Sequence, residues 1–132
     1  MPRKIHHQII HTYKQETASI PAGVIVVHGT ADGQVKLPGA ADVGDIVGVT
    51  KYAGDATVDS DIEVVVSGFA DVLVKGANIL RGSAIGIHGT SGYGKLSALT
   101  NAKWVLGFAT EATTVEDTYV SVEIAKFATP SA

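Results

Sequence analysis

The sequence predicts an all-β fold, and three observations support this prediction. Valine is abundant and leucine is scarce in the 132 residues, and β-branched side chains pack well on the pleated surface of a strand. Glycine occurs 15 times and supplies tight turns and bulges. A stretch centred on His-Gly-Thr is used twice, at 28–30 and at 88–90. We therefore expect a small β-barrel or sandwich built from two pseudo-repeated β-units, with an extended N-terminal arm.

The two copies of the repeat share a fixed order of motifs. In chain order these are His-Gly-Thr at 28–30 and 88–90, Lys-Leu at 36–37 and 95–96, and an apolar strand containing glycine at 46–49 and 105–108. Each copy closes with a valine-rich strand, at 62–66 and at 119–124. Two copies are too few for a solenoid, whereas two β-units with short connections suit a closed barrel, which removes exposed strand edges.

Length and motif order indicate one β domain preceded by an arm. A chain of 132 residues is one domain by the usual length relation and can bury a core without disulfides. We assign residues 1–17 to the arm and 18–132 to the domain, with pseudo-repeats at about 18–75 and 76–127. The arm fits neither a period of 2 nor one of 3.6. It is therefore either a first strand of the sheet or an extended segment that orders on a neighbour.

In the first copy, strands follow from apolar runs between turn signals. The continuous apolar run 24–27 predicts a strand covered on both faces or lying at an oligomer contact. The strand at 46–52 contains Gly48, which indicates a bulge or a close backbone approach. The apolar segments 62–67 and 69–74 flank Gly68. Because a two-residue hairpin normally carries Asn-Gly or Asp-Gly, we favour one bent strand here.

In the second copy, the same order of elements is expected. Strands are predicted at 84–87, at 104–110 and at 119–127, with Trp104 as a packing residue of the middle one. The segment 96–102 is either a strand followed by a turn or a short helix. Tyr93, at the tip of the glycine-rich loop, is the expected exposed contact.

The sequence carries no coherent catalytic or metal-binding pattern. The absence of cysteine excludes a thiolate nucleophile and a cysteine-based metal site. His7 and His11 are four residues apart, but no glutamate completes an HExxH pattern and the segment is not helical in pattern. His28 and His88 occupy equivalent positions, yet an orienting carboxylate, Asp32, is near the first alone. We expect no enzyme activity, no cofactor and no metal.

Charge and hydropathy favour a protein partner. A net charge of −3, with 10 basic and 13 acidic residues, is too balanced to indicate nucleic acid. We expect neither a signal peptide nor a membrane span, because no apolar run has the required length. The basic arm suggests docking to an acidic surface, with a solvated tail as the alternative. The candidate partner-binding residues are Arg3, Lys4, Ile5, Ile9, Ile10, Tyr13 and Tyr93.

Several short motifs together resemble a known family. They are an Ile-x-x-Gly turn at 20–23, Asp-Ile-Val-Gly-Val at 45–49, the segment Val-Val-Val-Ser-Gly-Phe-Ala-Asp-Val at 64–72, Val-Leu-Gly-Phe-Ala at 105–109 and Val-Ser-Val-Glu-Ile at 120–124. Over about residues 17–127 this pattern resembles the small capsid decoration, or cement, proteins of tailed bacteriophages and prophages. The resemblance implies a barrel-like β fold without enzyme activity.

The resemblance also implies partners and a location. It implies binding to the outside of an icosahedral head, as trimers or dimers that bridge subunits of the major capsid protein, after synthesis in the host cytoplasm. One alternative is another phage structural β-barrel, in the tail or baseplate. A second is a small carbohydrate- or ligand-binding module that uses Tyr93, Trp104 and the two His-Gly-Thr loops, although the scarcity of aromatic residues counts against it. An oligomeric enzyme with a shared site is the weakest alternative.

Overall fold

The fold is all-β, as predicted. A computed structural model describes residues 7–39, 45–75, 79–89, 91–96, 104–115 and 117–128. The strands within these ranges are β1 (Gln8–Gln15), β2 (Ile25–His28), β3 (Gln34–Lys36), β4 (Ile46–Thr50), β5 (Asp61–Val74), β6 (Ala84–Ile87), β7 (Gly94–Leu96), β8 (Trp104–Ala109) and β9 (Thr118–Ala128). In the described residues there is no helix that could span a membrane. Most of the segment 96–102 lies outside the described residues.

The strands close into two hydrogen-bonded rings that share β5. The first ring is β1-β3-β2-β4-β5, closed by pairing of β1 with β5, and the second ring is β5-β7-β6-β8-β9, closed by pairing of β5 with β9. β1 pairs with the N-terminal half of β5, and β9 pairs with the C-terminal half. A closed five-stranded barrel with further strands outside it thus confirms the expected barrel. Closure leaves no free edge strand within either ring.

The repeat in the sequence is also a repeat of topology. β2, β3 and β4 correspond to β6, β7 and β8, because both sets follow the same pairing order. In the first ring β1 pairs with β3 in parallel, and in the second ring the C-terminal end of β5 pairs with β7 in parallel. At these places the Glu16 amide donates to the Val35 carbonyl (2.7 Å) and the Lys75 amide donates to the Gly94 carbonyl (2.8 Å). Residues Gln8–Gln15 are therefore a strand of the sheet, the first of the two alternatives for this segment.

Two apolar clusters fill the fold, and β2 contributes to both. The smaller cluster comprises Ile20, Val24, Val26, Val35, Val47, Ile62 and Val64. The larger cluster takes the other face of β2, through Ile25 and Val27, together with buried residues of β5, β6, β8 and β9. The run 24–27 is therefore covered on both faces within one chain, which is the first of the two alternatives for this strand. Trp104 packs against the larger cluster, as expected.

Two glycines lie where paired strands leave no room for a side chain. A Cβ on Gly48 would collide with the carbonyl oxygen of Val65, and a Cβ on Gly107 would collide with that of Glu123. The close approach predicted for Gly48 is confirmed, and the second ring repeats it. At Gly68, which has φ of 92°, β5 continues as one strand, which confirms the single strand favoured over a hairpin.

Further hydrogen bonds, besides the strand pairing of β5, also join the two rings. The Ile25 amide donates to the carbonyl of Gly92 (2.7 Å), and the Leu73 amide donates to the carbonyl of Gly23 (2.8 Å). Lys126 extends from β9 and donates from Nζ to the carbonyl of Val47 (2.8 Å). Partial burial lowers the pKa of the Lys126 ammonium, because desolvation disfavours the charged form.

Candidate functional site

An open groove of about 360 Å³ lies where the two rings meet. Its floor is formed by residues with short side chains: Ala22, Gly23, Thr50, Val65 and Ala70. Its rim carries aromatic and polar side chains: Gln8, Lys51, Tyr52, Asp71 and Tyr119. These residues come from β1, the turn before β2, the end of β4 and the segment after it, both halves of β5 and β9. The groove is therefore formed jointly by residues of the two rings.

Two exposed tyrosines form the aromatic part of the rim. Tyr52 is 60% exposed and Tyr119 is 53% exposed, although tyrosine rings usually bury most of their area. The ring of Tyr119 rests against the backbone of Gly23, where a Cβ would collide with it. Gly23 has φ of 74°, a conformation that glycine adopts without steric cost. The predicted turn at 20–23 thus provides the surface on which Tyr119 lies.

The polar part of the rim is built on a short chain of hydrogen bonds. Lys51 donates from Nζ to Oε1 of Gln8 (2.9 Å), and Gln8 donates from Nε2 to the carbonyl of Phe69 (3.0 Å). The Lys51 ammonium also lies 5.7 Å from the centroid of the Tyr52 ring, within cation–π range. These contacts hold the cation of Lys51 in a defined position at the groove.

One unpaired carboxylate completes the rim. Asp71 is exposed on β5, and the salt bridges among the described residues are Lys14–Asp61 and Lys75–Asp117. Neither Asp71 nor Lys51 therefore has an ion-pair partner in the described part of the chain. The groove presents one cation and one anion to a ligand.

The backbone around the groove is already hydrogen-bonded. The Gly23 amide donates to the Thr50 carbonyl (2.9 Å), and the Lys51 amide donates to the Glu63 carbonyl (3.0 Å). The buried hydroxyl of Thr50 donates to the carbonyl of Pro21 (2.7 Å). The amides of Gly23 and Lys51 and the hydroxyl of Thr50 are therefore engaged within the chain.

The structure separates the residues predicted to bind a partner. Arg3, Lys4 and Ile5 lie outside the described residues. Ile9 is 56% exposed on β1, whereas Ile10 packs against the larger apolar cluster. Tyr13 and Tyr93 are half-buried against the smaller cluster. Within the described part of the predicted set, Ile9 is the side chain that is mostly exposed.

The half-burial of Tyr93 has a clear cause. Its hairpin lies against β2 of the first ring, where the carbonyl of Gly92 accepts the Ile25 amide and a Cβ on Gly92 would collide with the Ile25 carbonyl. The Lys75 ammonium lies 5.2 Å from the centroid of the Tyr93 ring. The glycine-rich loop that was expected to be a free tip therefore contributes to contact between the rings.

The histidines do not assemble into a reactive site in the described residues. His28 and His88 are both exposed at strand ends. No group of three metal-ligating side chains occurs in the part of the chain that the structure describes.

Sequence reasoning missed Tyr52 and Tyr119 as site residues. The repeat contained a signal for Tyr119. When Ile62-Glu63-Val64 is aligned with Val120-Ser121-Val122, Tyr119 of the second copy is equivalent to Asp61 of the first. An exposed aromatic residue in one copy and a carboxylate in the other mark a departure from the shared scaffold. Tyr52 carried no comparable signal, because its neighbours at the groove are distant in sequence.

Comparison with known proteins gives a likeness of fold. No protein-family model matches the chain, and no curated protein sequence matches it. Among solved structures, the N base of the head fiber protein gp8.5 of bacteriophage phi29 is similar. The TM-score is 0.63 at 16% sequence identity, with 90% of this chain and 95% of that chain covered. At this identity the likeness concerns the fold alone, and its coverage takes in both rings.

Proposed function

We propose that the chain is a structural component of a bacteriophage head. The observation that carries the proposal is the fold shared with the phi29 head fiber base, which extends over 90% of this chain and 95% of that one. The motifs that resemble capsid decoration proteins lead to the same part of a virion. The two arguments have different starting points, since one uses short sequence motifs and the other uses the arrangement of the strands.

The finer proposal is a decoration, or cement, protein on the outer surface of the head. It bridges subunits of the major capsid protein as a trimer or dimer and has no catalytic role. A protein that binds the assembled shell and not the free subunits stabilises the shell by mass action, and many copies add through multivalency. Closed rings suit this use, because a protein at high copy number on a surface benefits from having no free strand edge.

The N-terminal segment supplies the proposed contact. Ile9 is exposed on β1 and follows the basic residues Arg3 and Lys4 in sequence. An exposed apolar side chain that follows basic residues in the sequence suits an acidic surface that has an apolar depression. Because residues 8–15 are a strand of the first ring, this contact is anchored on a rigid element.

The location is tested by labelling purified virions with antibodies against the chain and imaging them by electron microscopy. The proposal expects label distributed over the head. Label confined to the tail or baseplate would overturn it and favour the alternative structural role.

The contact is tested with Ile9→Asp, compared with Thr12→Asp as the matched control on the same strand, because both residues are exposed. Binding to purified heads that lack the protein should fall at least tenfold for the first variant, which is about 1.4 kcal/mol, and should stay near the wild-type value for the second. Melting temperatures of both variants should match that of the wild type. Equal binding of both variants would contradict the proposed contact.

A further inference from the structure

We propose that the groove between the two rings binds a neutral oligosaccharide, with Tyr52 and Tyr119 packed on sugar rings and with Asp71 and Lys51 hydrogen-bonded to hydroxyl groups. This site is independent of the proposed role in the head, since it depends on the groove and not on the N-terminal segment.

The groove has the size and form for such a ligand. Its volume of about 360 Å³ falls within the range of small-molecule sites. Its floor of Gly23, Val65 and Ala70 has no long side chain that would fill it. It is open to solvent, so a ligand longer than the groove can extend beyond it.

The tyrosines supply flat apolar surface where a pyranose ring needs it. Tyr52 and Tyr119 are 60% and 53% exposed, and both line the same groove. Tyrosine has only two side-chain torsions, so that ordering its ring on a ligand costs little entropy. Contact with Gly23 already restrains Tyr119, which lowers this cost further.

The charges favour a neutral ligand rich in hydroxyl groups. A hydroxyl both donates and accepts hydrogen bonds, so it can pair with the carboxylate of Asp71 or with the ammonium of Lys51. An anionic ligand would approach Asp71, and a cationic ligand would approach Lys51, each at the cost of like-charge repulsion. Lys51 is held at the groove by Gln8 (2.9 Å), which fixes the position of its donor group.

A peptide strand is a poorer fit. Strand addition requires a sheet edge with free backbone groups, whereas Ala70 and Asp71 already pair with β9 and the amides of Gly23 and Lys51 are engaged. An apolar side chain placed in the groove would desolvate Asp71 without offering it a partner, which is costly.

The repeat gives a further reason to assign a ligand to Tyr119. On the first ring, Lys14 pairs across the strands with Asp61 and forms a salt bridge with it. On the second ring, Leu73 pairs with Tyr119 at the corresponding position. The shared scaffold therefore does not require an aromatic residue there. The exposed ring of Tyr119 is therefore free to serve a ligand.

The test is titration of the full, ¹⁵N-labelled chain with cello-, xylo- and N-acetylated chito-oligosaccharides, all of them neutral, followed by NMR. We expect at least one of them to give saturable shifts at the amides of Tyr52, Asp71 and Tyr119, with a Kd of about 1 mM or tighter. Tyr52→Ala, Tyr119→Ala and Asp71→Asn should each weaken binding by roughly tenfold, a loss of about 1.4 kcal/mol. Tyr119→Phe should retain most of the affinity. Val115→Ala, a change at an exposed apolar residue that does not line the groove, should leave affinity unchanged.

Two results would overturn the proposal. The first is the absence of saturable shifts at the groove with all three ligands at about 20 mM, well above a millimolar Kd. The second is unchanged affinity in Tyr52→Ala and Tyr119→Ala variants that melt like the wild type. If the same variants lose binding to phage heads while no oligosaccharide binds, the groove is a protein-docking site.

Discussion

The two rings share one topology but hold their corresponding hairpin loops in different ways. In the first ring, the loop after β2 is fixed by polar contacts: the carboxylate of Glu16 accepts the Thr30 amide (2.7 Å), and Gln34 donates to Asp59 (2.9 Å). In the second ring, the loop after β6 is fixed by packing on the first ring through Gly92 and Tyr93.

Lys75 has the position in the second ring that Glu16 has in the first. The Glu16 amide donates to β3, and the Lys75 amide donates in the same way to β7. The ammonium of Lys75 lies over the ring of Tyr93, whereas the carboxylate of Glu16 accepts a hydrogen bond from a loop amide. The comparison indicates that a duplicated β-unit keeps its backbone contacts and changes its loops. One loop remains at the surface, and the other joins the rings.

The largest expected effect tests a feature that the two rings share, the glycine that lies against a carbonyl oxygen of the partner strand. Gly48→Ala and Gly107→Ala should each destabilise the protein by about 3 kcal/mol, because a Cβ at either position collides with a carbonyl oxygen of the partner strand. Chemical denaturation followed by circular dichroism measures the free energy of unfolding. Gly89→Ala is the control, since nothing lies within 4 Å of its Cβ position. If only one of the two variants lost stability, the rings would not be equivalent at this position.

The next effect concerns a buried position at which the rings differ. Gln15 is buried and donates from Nε2 to the carbonyls of Asp55 (2.6 Å) and Thr57 (2.9 Å), whereas the second ring has Val74 beside β7 in the corresponding place. Gln15→Ala should cost about 2–3 kcal/mol, because it creates a cavity and removes the donors of two carbonyls.

Val74→Ala, by comparison, should cost about 1–2 kcal/mol, since it removes apolar contacts alone. Hydrogen exchange should show faster opening near residues 55–57 in the Gln15 variant and not in the Val74 variant. Equal exchange at 55–57 in both variants would refute a specific role for Gln15 in holding that loop.

A smaller effect is expected for the cross-strand pair Lys14–Asp61. Both side chains are more than half exposed, at 56% and 65%, so solvent screens their attraction. A double-mutant cycle with Lys14→Ala and Asp61→Ala should give a coupling energy of about 0.5 kcal/mol or less. A coupling above about 1 kcal/mol would exceed the range for exposed pairs and would give this pair a structural role.

The sequence predicted the features that depend on local pattern. These include the all-β class, the strand covered on both faces at 24–27 and the close approach at Gly48. The strand character of 8–15 could not be settled, because Ile10 packs on the larger cluster and Tyr13 on the smaller one. A register shift between Ile9 and Ile10 also breaks the alternation. A strand that serves two cores and contains an irregularity shows no single period.

The groove could not be predicted, for a different physical reason. Tyr52 and Tyr119 are distant in sequence and come together because β5 belongs to both rings. The loop of Tyr93 likewise appeared free, because its packing on β2 is a long-range contact. Local pattern identifies elements, whereas sites between elements require knowledge of how those elements pair.

The smallest expected effect is local and depends on pH. The hydrogen bond from the Thr30 amide is the main cause that holds the pKa of the Glu16 carboxyl below its ordinary value of 4.5. Because the folded pKa is depressed, the contact is fully present above pH 4.5 and is lost as pH falls through the lower, folded value. The Thr30 amide resonance should therefore shift with Glu16 protonation, and Glu16→Gln should abolish this titration.

The loop of the second ring provides the internal comparison, because Lys75 occupies the position of Glu16 there. Amides of Gly89 and Gly92 should not follow the Glu16 titration in the same NMR series. Since the hydrogen bond between Thr30 and Glu16 is exposed, global stability should change little, and the response should be confined to the loop after β2. A shift of both loops with one apparent pKa would mean that the rings are coupled through β2, on which the second loop packs.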